Sequence, residues 1–422
     1  MGTALIKKNL GVLTSFIRGH QDTALVMAIG LLKLLFLIIF FTFCENMLWA
    51  RHIHVDVWGW RDFFNNCLEG LTPYVDFSKE YPHLAGYFFW GLSKIFTHAN
   101  EYFLEFHAGL MWVLDLANTW LFIQILRFHQ IKRIWVALLL FQFNLTYLLL
   151  GPFRFESLLL IFILGGYLAQ LRSRPLIATF IWSLGFHIKW VPAFFIAVRD
   201  VRLFFTEKKR KTALYSMLIF ILVTVFIFGG AILFDELKNG NMELALNPYW
   251  FHIHRPIYWD TLIGVIVLWW GYMPWEKWLS IGSLLLMTVF IFYPRKMSFE
   301  RKVVLICAAA LIFNRVYSTQ FHMWFYPFFI ILMLRPEMKK YFASGLALFI
   351  SLDLLNIIVY PFSFTQILLE IGEFNEYTAR LGGVGTWIFS GAIVLRAILI
   401  GVLMHWIFTT QFDENSEIRK TI

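Results

Sequence analysis

Apolar runs of membrane-crossing length recur along this chain, and the short loops between them carry most of its positive charge. A run of about 20 apolar residues crosses the ~30 Å hydrocarbon core as one helix. A helix also satisfies its own backbone polar groups where no water can reach them. The chain is 59% hydrophobic, 19% aromatic and 15% charged, with a mean hydropathy of +0.66. Soluble domains carry about 25% charged residues, so a soluble globular fold is excluded. The ten-residue alternation of an outer-membrane barrel is absent. The expectation is an all-α, polytopic transmembrane bundle forming a single integral-membrane domain over residues 1–422.

The net charge of +9 does not point to nucleic acid, because the positive residues sit in short loops, as the positive-inside rule expects of cytoplasmic connections. Cys44, Cys67 and Cys307 have no disulfide or metal spacing. The first apolar run is long and no small-residue cleavage site follows it, so it reads as a retained span. Lys7, Lys8 and Arg18 precede that run (Met27–Cys44) and put the N-terminus in the cytoplasm. Residues 45–105 then form a first extracytoplasmic loop. Spans near Phe106–Leu126, Trp135–Leu150 and Leu158–Leu171 follow.

Residues 175–198 are one span long, yet basic residues at both ends ask for the same side. A kinked hairpin turning at Gly185–Lys189 resolves the conflict. Irregular backbone at that depth requires protein or a water-filled cavity around it. Leu214–Leu233 leads to a second large loop, 235–260, and residues 261–276 either cross or re-enter partway. Further spans are expected near 278–293, 303–317, 323–335, 341–360 and 386–409. Together these make about ten full crossings plus one or two broken hairpins, about 10–13 membrane helices in all, with both termini in the cytoplasm.

The polar residues of the far side converge. RHIHVDVWGWRDFFNNCLEGLTPYVDFSKEYPHLAGYFFW (51–90) holds Asp56, Asp62, Glu69, Asp76 and Glu80. Arg154 and Glu156 lie in the next far-side loop, His187 and Lys189 at the hairpin, His252 to Asp260 in the large loop, and Arg315 to His322 in another. Ionisable groups in or near a membrane are costly and mark candidate sites. A carboxylate can act as general base on a hydroxyl, and fixed cations can hold a phosphate as charge develops on it. The activated phosphates available on that side of a membrane are lipid-linked. The residues therefore read as a site for group transfer from a lipid phosphate to a hydroxyl.

Five segments, in order, carry a family resemblance. Asp56-VWG-Trp60, Gly70-LTP-Tyr74 and DFSKEYPHL (76–84) resemble the first extracytoplasmic loop of GT-C glycosyltransferases, in particular the polyprenyl-phosphate-mannose-dependent mannosyltransferase-like group. His83 stands where a second proline is common. GPFRFES (151–157) resembles the family's arginine-and-acid segment, and GFHIKWVP (185–192) its K-x-x-P element. HRPIYWDT (254–261) is similar to its R-x-x-x-ES element, with Asp260 and Thr261 in the last two places. RVYSTQFHMWFYP (315–327) is similar to KV-SPQY-x-x-W-x-x-P. The resemblance implies a GT-C-like bundle whose active site lies in extracytoplasmic loops, an inverting reaction, and Asp56 as catalytic base. It also implies a polyprenyl-phosphate-sugar donor, mannose being the first expectation. The acceptor would be a lipid-linked glycan or glycolipid among the membrane lipids, with no cofactor and no metal.

On this reading Lys189, Arg255 and Arg315 hold the donor phosphate. Asp76, Glu80, Tyr81, Arg154, Glu156, His187, His254, Asp260, Gln320 and His322 contact substrate. Plainer roles compete: Asp56 as a helix N-cap, Asp62 as a solvated charge, Asp76 and Glu80 as turn formers, Arg315 as an interfacial anchor. Histidines beside Trp and Tyr are often interfacial, and no zinc-type spacing supports a metal. Trp58, Trp60, Phe63 and Phe64 read as the apolar face of a helix lying on the membrane. The sequon at Asn144 falls inside a span. A transporter or flippase for a lipid-linked sugar or anionic lipid is the alternative, and a non-catalytic scaffold subunit a third. The absence of a retrieval signal or large luminal domain points to a prokaryotic plasma membrane.

Overall fold

A computed structural model describes residues 21–255, 257–258, 260–271, 276–292, 297–312, 314, 316–365 and 384–410. Among these the chain is helical, with no strand beyond one isolated bridge between Pro73 and Phe77. Helix α1 (Gln21–Ile39) continues through a wide turn at Phe40–Cys44. The first long loop folds into α2 (Leu48–Ile53), α3 (Val55–Leu68) and α4 (His83–Ile95). Next come α5 (Phe103–Phe128), α6 (Ile134–Gln142), α7 (Leu145–Leu150), α8 (Glu156–Leu171), α9 (Pro175–Phe186) and α10 (Pro192–Val201). Then follow α11 (Arg210–Thr224), α12 (Gly230–Asn239), α13 (Glu243–His254), α14 (Leu262–Trp270) and α15 (Glu276–Phe292). The chain closes with α16 (Phe299–Ile312), α17 (Tyr326–Leu334), α18 (Phe342–Ile357) and α19 (Val384–Thr409).

Five helical stretches are long and apolar enough to cross a membrane: Gln21–Cys44, Phe103–Phe128, Arg210–Asn239, Pro336–Ser363 and Trp387–Thr409. Each coincides with an expected span. The crossing expected over Trp135–Leu150 is instead a bent pair, α6 and α7, meeting at 52°. Asn144 makes the break: its side chain accepts the Tyr147 N–H at 2.8 Å and so caps α7. Counting that pair, six stretches among the described residues can cross, fewer than the ten expected. The shortfall lies in α8, α16 and α17, of 16, 14 and 9 residues, and in α15, whose apolar part is Ile281–Phe292. Helices α16 and α17 are buried along almost their whole length. Surrounded by protein, they need not match the thickness of the lipid.

The hairpin forms where the charge conflict puts it. Helix α9 ends at Phe186 and α10 begins at Pro192. Near the end of α10, Arg199 donates to the Pro175 carbonyl at 2.8 Å and to Thr179 Oγ1 at 2.7 Å, both at the start of α9. The two arms therefore begin and end at one level, with Lys189 at the turn. Over the described residues 260–271 the chain turns back along α19. The Arg396 guanidinium, within α19, donates to the Asp260 carbonyl, while Trp269 donates to Ser390 at 3.0 Å, nearer the N-terminus of α19. Helix α14 thus runs antiparallel to α19 from a turn at the depth of Arg396.

The aromatic stripe of α3 corrects the expectation of a helix lying on the membrane. Trp60, Phe63 and Phe64 are buried, and only Trp58 is exposed. Helix α3 packs on α4 and α5, and Trp60 stacks on Phe89 at 4.2 Å and on Tyr81 at 5.2 Å. Elsewhere in the core, α8 and α9 approach so closely that any Cβ at Gly166 would meet the Trp182 indole.

Midway along the bundle lies an ion pair that the sequence reading did not single out. Lys33 on α1 donates to Asp115 on α5 and, at 2.6 Å, to Gln142 on α6. Asp115 also accepts from Tyr147 and, at 2.9 Å, from Ser157. All five side chains are buried. Removing one partner of a buried pair strands a charge, at a cost of about 3–5 kcal/mol. In detergent, Lys33→Met is expected to melt well below the parent protein, and the Lys33→Met/Asp115→Leu double variant to regain most of the loss. Unchanged melting of Lys33→Met would contradict the pair's role in joining α1, α5 and α6.

Candidate functional site

At one end of the bundle a tight turn at Gly151–Phe153 leads into Arg154, whose extended backbone precedes the start of α8. Glu156 is the first residue of α8, where the helix dipole favours a carboxylate. Asp56 occupies the first turn of α3, and Arg154 forms a salt bridge with it. Arg154 also donates to the Tyr360 hydroxyl at 3.1 Å, and Tyr360 in turn donates to the His52 carbonyl, joining the segment after α18 to α2.

Glu156 is fully buried and pairs with Lys189. The Lys189 ammonium lies over the rings of Phe155 at 4.6 Å, Phe321 at 5.4 Å, Trp324 at 5.6 Å and Tyr81 at 5.9 Å. Such a cage offsets part of the cost of desolvating the charge. Arg255 follows α13 and sits on Tyr258 at 4.3 Å and Phe251 at 5.4 Å. Arg154 and Arg255 both come close enough to Lys189 for their charges to act on it. Arg255, Arg154 and Arg396 likewise act on Asp260.

Arg396, which the sequence reading missed, completes this group. It is 1% exposed, lies 3.6 Å from the centre of the Tyr317 ring, and donates to Asn356 Oδ1 at 3.2 Å as well as to the Asp260 carbonyl. The signal was a single arginine within a long apolar run. His322 bonds Tyr317 through Nε2 and the Tyr326 hydroxyl through Nδ1, the latter at 2.9 Å. Gln320 is buried on the same short helical turn, Thr319–Trp324.

The arrangement therefore faces Arg154, Lys189, Arg255 and Arg396 toward Asp56, Glu156 and Asp260. Neither Arg255 nor Arg396 forms an ion pair with a carboxylate among the described residues. Among the described residues, several buried polar atoms here have no hydrogen-bond partner: Arg154 Nε, Glu156 Oε2, Arg255 Nε, Asp260 Oδ1 and Trp324 Nε1. Buried polar atoms are normally satisfied, so this charged cluster, called the chamber, is the candidate site. Among the described residues no group of three or more His, Cys, Asp or Glu side chains could hold a metal ion.

Other candidates sit apart from this chamber. Asp76 pairs with Lys238 and accepts the Thr72 N–H at 2.8 Å, tying the first loop to α12. Glu80 offers its carbonyl to His252 at 2.9 Å, and its carboxylate lies 3.5 Å from Lys79. His187 is buried; its ring lies 3.4 Å from Thr224 Oγ1 and its carbonyl accepts the Leu84 N–H at 2.9 Å. His254 is exposed and bonds the Trp250 carbonyl at 2.9 Å. Asp62 is exposed. Arg315 lies outside the described residues, as do both chain ends.

No family model, no curated protein and no solved structure matches this chain.

The hydrogen bonds from Lys238 and the Thr72 N–H hold the Asp76 carboxyl below the ordinary carboxylate range. A carboxyl lowered on folding contributes stability above its unfolded value of about 3.9 and loses it as pH falls through the folded value. Between pH 6 and pH 3 the parent protein is expected to lose more thermal stability than Asp76→Asn. Parallel melting-versus-pH curves would contradict this.

Proposed function

We propose that this chain is an integral-membrane glycosyltransferase of GT-C-like architecture. It moves one sugar, mannose first among the candidates, from a polyprenyl-phosphate donor to a hydroxyl of a lipid-linked glycan or glycolipid, with inversion. The observation that carries this reading is the unmatched guanidinium of Arg255. It lies within electrostatic range of the caged ammonium of Lys189, as does Arg154, the ion-pair partner of the exposed-edge carboxylate Asp56. Fixed cations in a desolvated chamber stabilise charge that develops on a departing phosphate far better than they would in water. Arg255 and Lys189 hold the donor phosphate, and the Phe- and Trp-rich walls receive the prenyl chain.

Asp56 takes the acceptor proton. Its side chain keeps 30% of its surface exposed, so a hydroxyl can reach it, and Arg154 holds it in place. The site faces away from the cytoplasm, both termini lie in the cytoplasm, and the membrane is a prokaryotic plasma membrane. The shorter and broken helices complete a bundle of the size the sequence implies.

A second reading has its own observation. Polar contacts continue from Ser157, beside Glu156, to Asp115 and Lys33 midway along the bundle. Such a path suits a transporter or flippase for a lipid-linked sugar or anionic lipid.

The deciding experiment offers the purified protein polyprenyl-phosphate-mannose, its glucose and arabinose analogues, and a membrane lipid extract as acceptor. Release of polyprenyl phosphate from one donor is expected. Asp56→Asn should lower the rate 10²–10⁴-fold and Asp76→Asn should leave it near the parent value. Full turnover by Asp56→Asn would overturn the base assignment; donor binding without consumption would favour transport.

A further inference from the structure

The chamber holds a second carboxylate, Asp260, whose ion pairing and access to water differ from those of Asp56. Asp56 is ion-paired to Arg154 and partly open to water. Asp260 is paired with no cation within salt-bridge reach among the described residues, and its Oδ1 is buried without a hydrogen-bond partner. Its backbone is nevertheless held firmly, because Arg396 donates to its carbonyl while lying on the Tyr317 ring. Tyr317 is fixed in turn through His322 and Tyr326. A carboxyl in such a setting is anchored by its main chain while its side chain is left free for a guest.

We infer that Asp260 is the general acid of the site, delivering a proton to the phosphate oxygen that leaves the sugar. The inference rests on the transferase reading above and adds to it the fate of the leaving group. Asp56 removes the acceptor O–H proton as the acceptor oxygen bonds to the anomeric carbon. The bond from that carbon to the phosphate oxygen breaks, and its electron pair stays on the oxygen. The Asp260 proton moves to that oxygen, so polyprenyl hydrogenphosphate departs. Asp56 is then protonated and Asp260 ionised, and exchange with water resets both.

The surroundings support this division of labour. Burial pushes the Asp260 carboxyl up to about 6, although Arg396 on α19, Arg255 after α13 and Arg154 before α8 pull it down. Among the described residues, Tyr317 and Tyr360 are the other titratable groups whose charge couples to it. Two carboxyls held at different protonation states by different settings are how one site runs acid and base chemistry together. Because Asp260 acts in its protonated form, turnover should fall as pH rises through that value.

The test is the pH dependence of kcat/KM for sugar transfer by the parent protein, Asp260→Asn and Asp260→Glu. The parent is expected to show a bell whose alkaline limb lies near pH 6. Asp260→Asn should lose 10²–10⁴-fold in kcat with little change in KM, and its alkaline limb should vanish. Asp260→Glu should keep a limb at a shifted pH, which also decides the matter if Asp260→Asn does not fold. Parent-like rates and an unmoved limb in both variants would overturn the assignment while leaving the transferase reading intact. No transfer by the parent protein at all would overturn both.

Discussion

Charge that must be buried organises this molecule. The interior of a membrane bundle offers no water, so each ionised side chain must find its opposite or a carbonyl, or be desolvated at a cost of several kcal/mol. Lys33 finds Asp115, Lys189 finds Glu156 and Arg154 finds Asp56, and each pair ties together helices distant in sequence. At the opposite end of the bundle Glu300 receives Arg335 at 3.1 Å and Tyr167, and Arg127 pairs with Asp22. The helices are thus pinned near both ends and in the middle, which fixes where the irregular segments can go.

Those irregular segments build the chamber. The hairpin turn brings Lys189 against Glu156, and the turn before α14 brings Asp260 to the level of Arg396. A continuous helix would have put either residue on a face already committed to packing. Breaking the helix frees a short stretch of backbone to aim side chains inward, and surrounding protein makes that tolerable. The chamber's four cations, Arg154, Lys189, Arg255 and Arg396, outnumber its three carboxylates, Asp56, Glu156 and Asp260, by one, which is the basis for proposing a guest that brings negative charge.

Much of this was legible in the sequence, for physical reasons that can be named. Apolar run length reports lipid thickness, so the five long helices were found. Basic residues at both ends of 175–198 report sidedness, so the hairpin was found as well. Asp56, Arg154, Glu156, Lys189, Arg255 and Asp260 drew notice because polar residues between apolar spans are expensive, and the fold brings them together. The misses are equally physical. An aromatic stripe at helical spacing reads alike whether it meets lipid or core, so Trp60, Phe63 and Phe64 were assigned to the wrong surface. Helices enclosed by protein escape the length rule, so α16 and α17 did not match full crossings. Lys33, Asp115 and Arg396 sit singly in apolar runs, where the cost of an unpaired charge was the available signal. Asp76 and His187 belong to segments that looked like motif and bond to α12 and α11, while exposed His254 bonds within its own helix.

The most direct test of the chamber is the binding of a short-chain prenyl monophosphate, carrying no sugar, to the detergent-solubilised protein by calorimetry at two salt concentrations. Saturable binding that weakens with salt, and that falls at least tenfold in Arg255→Met and again in Lys189→Met, is the predicted result. Binding of equal strength in the parent and in both variants would contradict an anion-holding role for these cations, and with it the chemistry assigned to this end of the bundle.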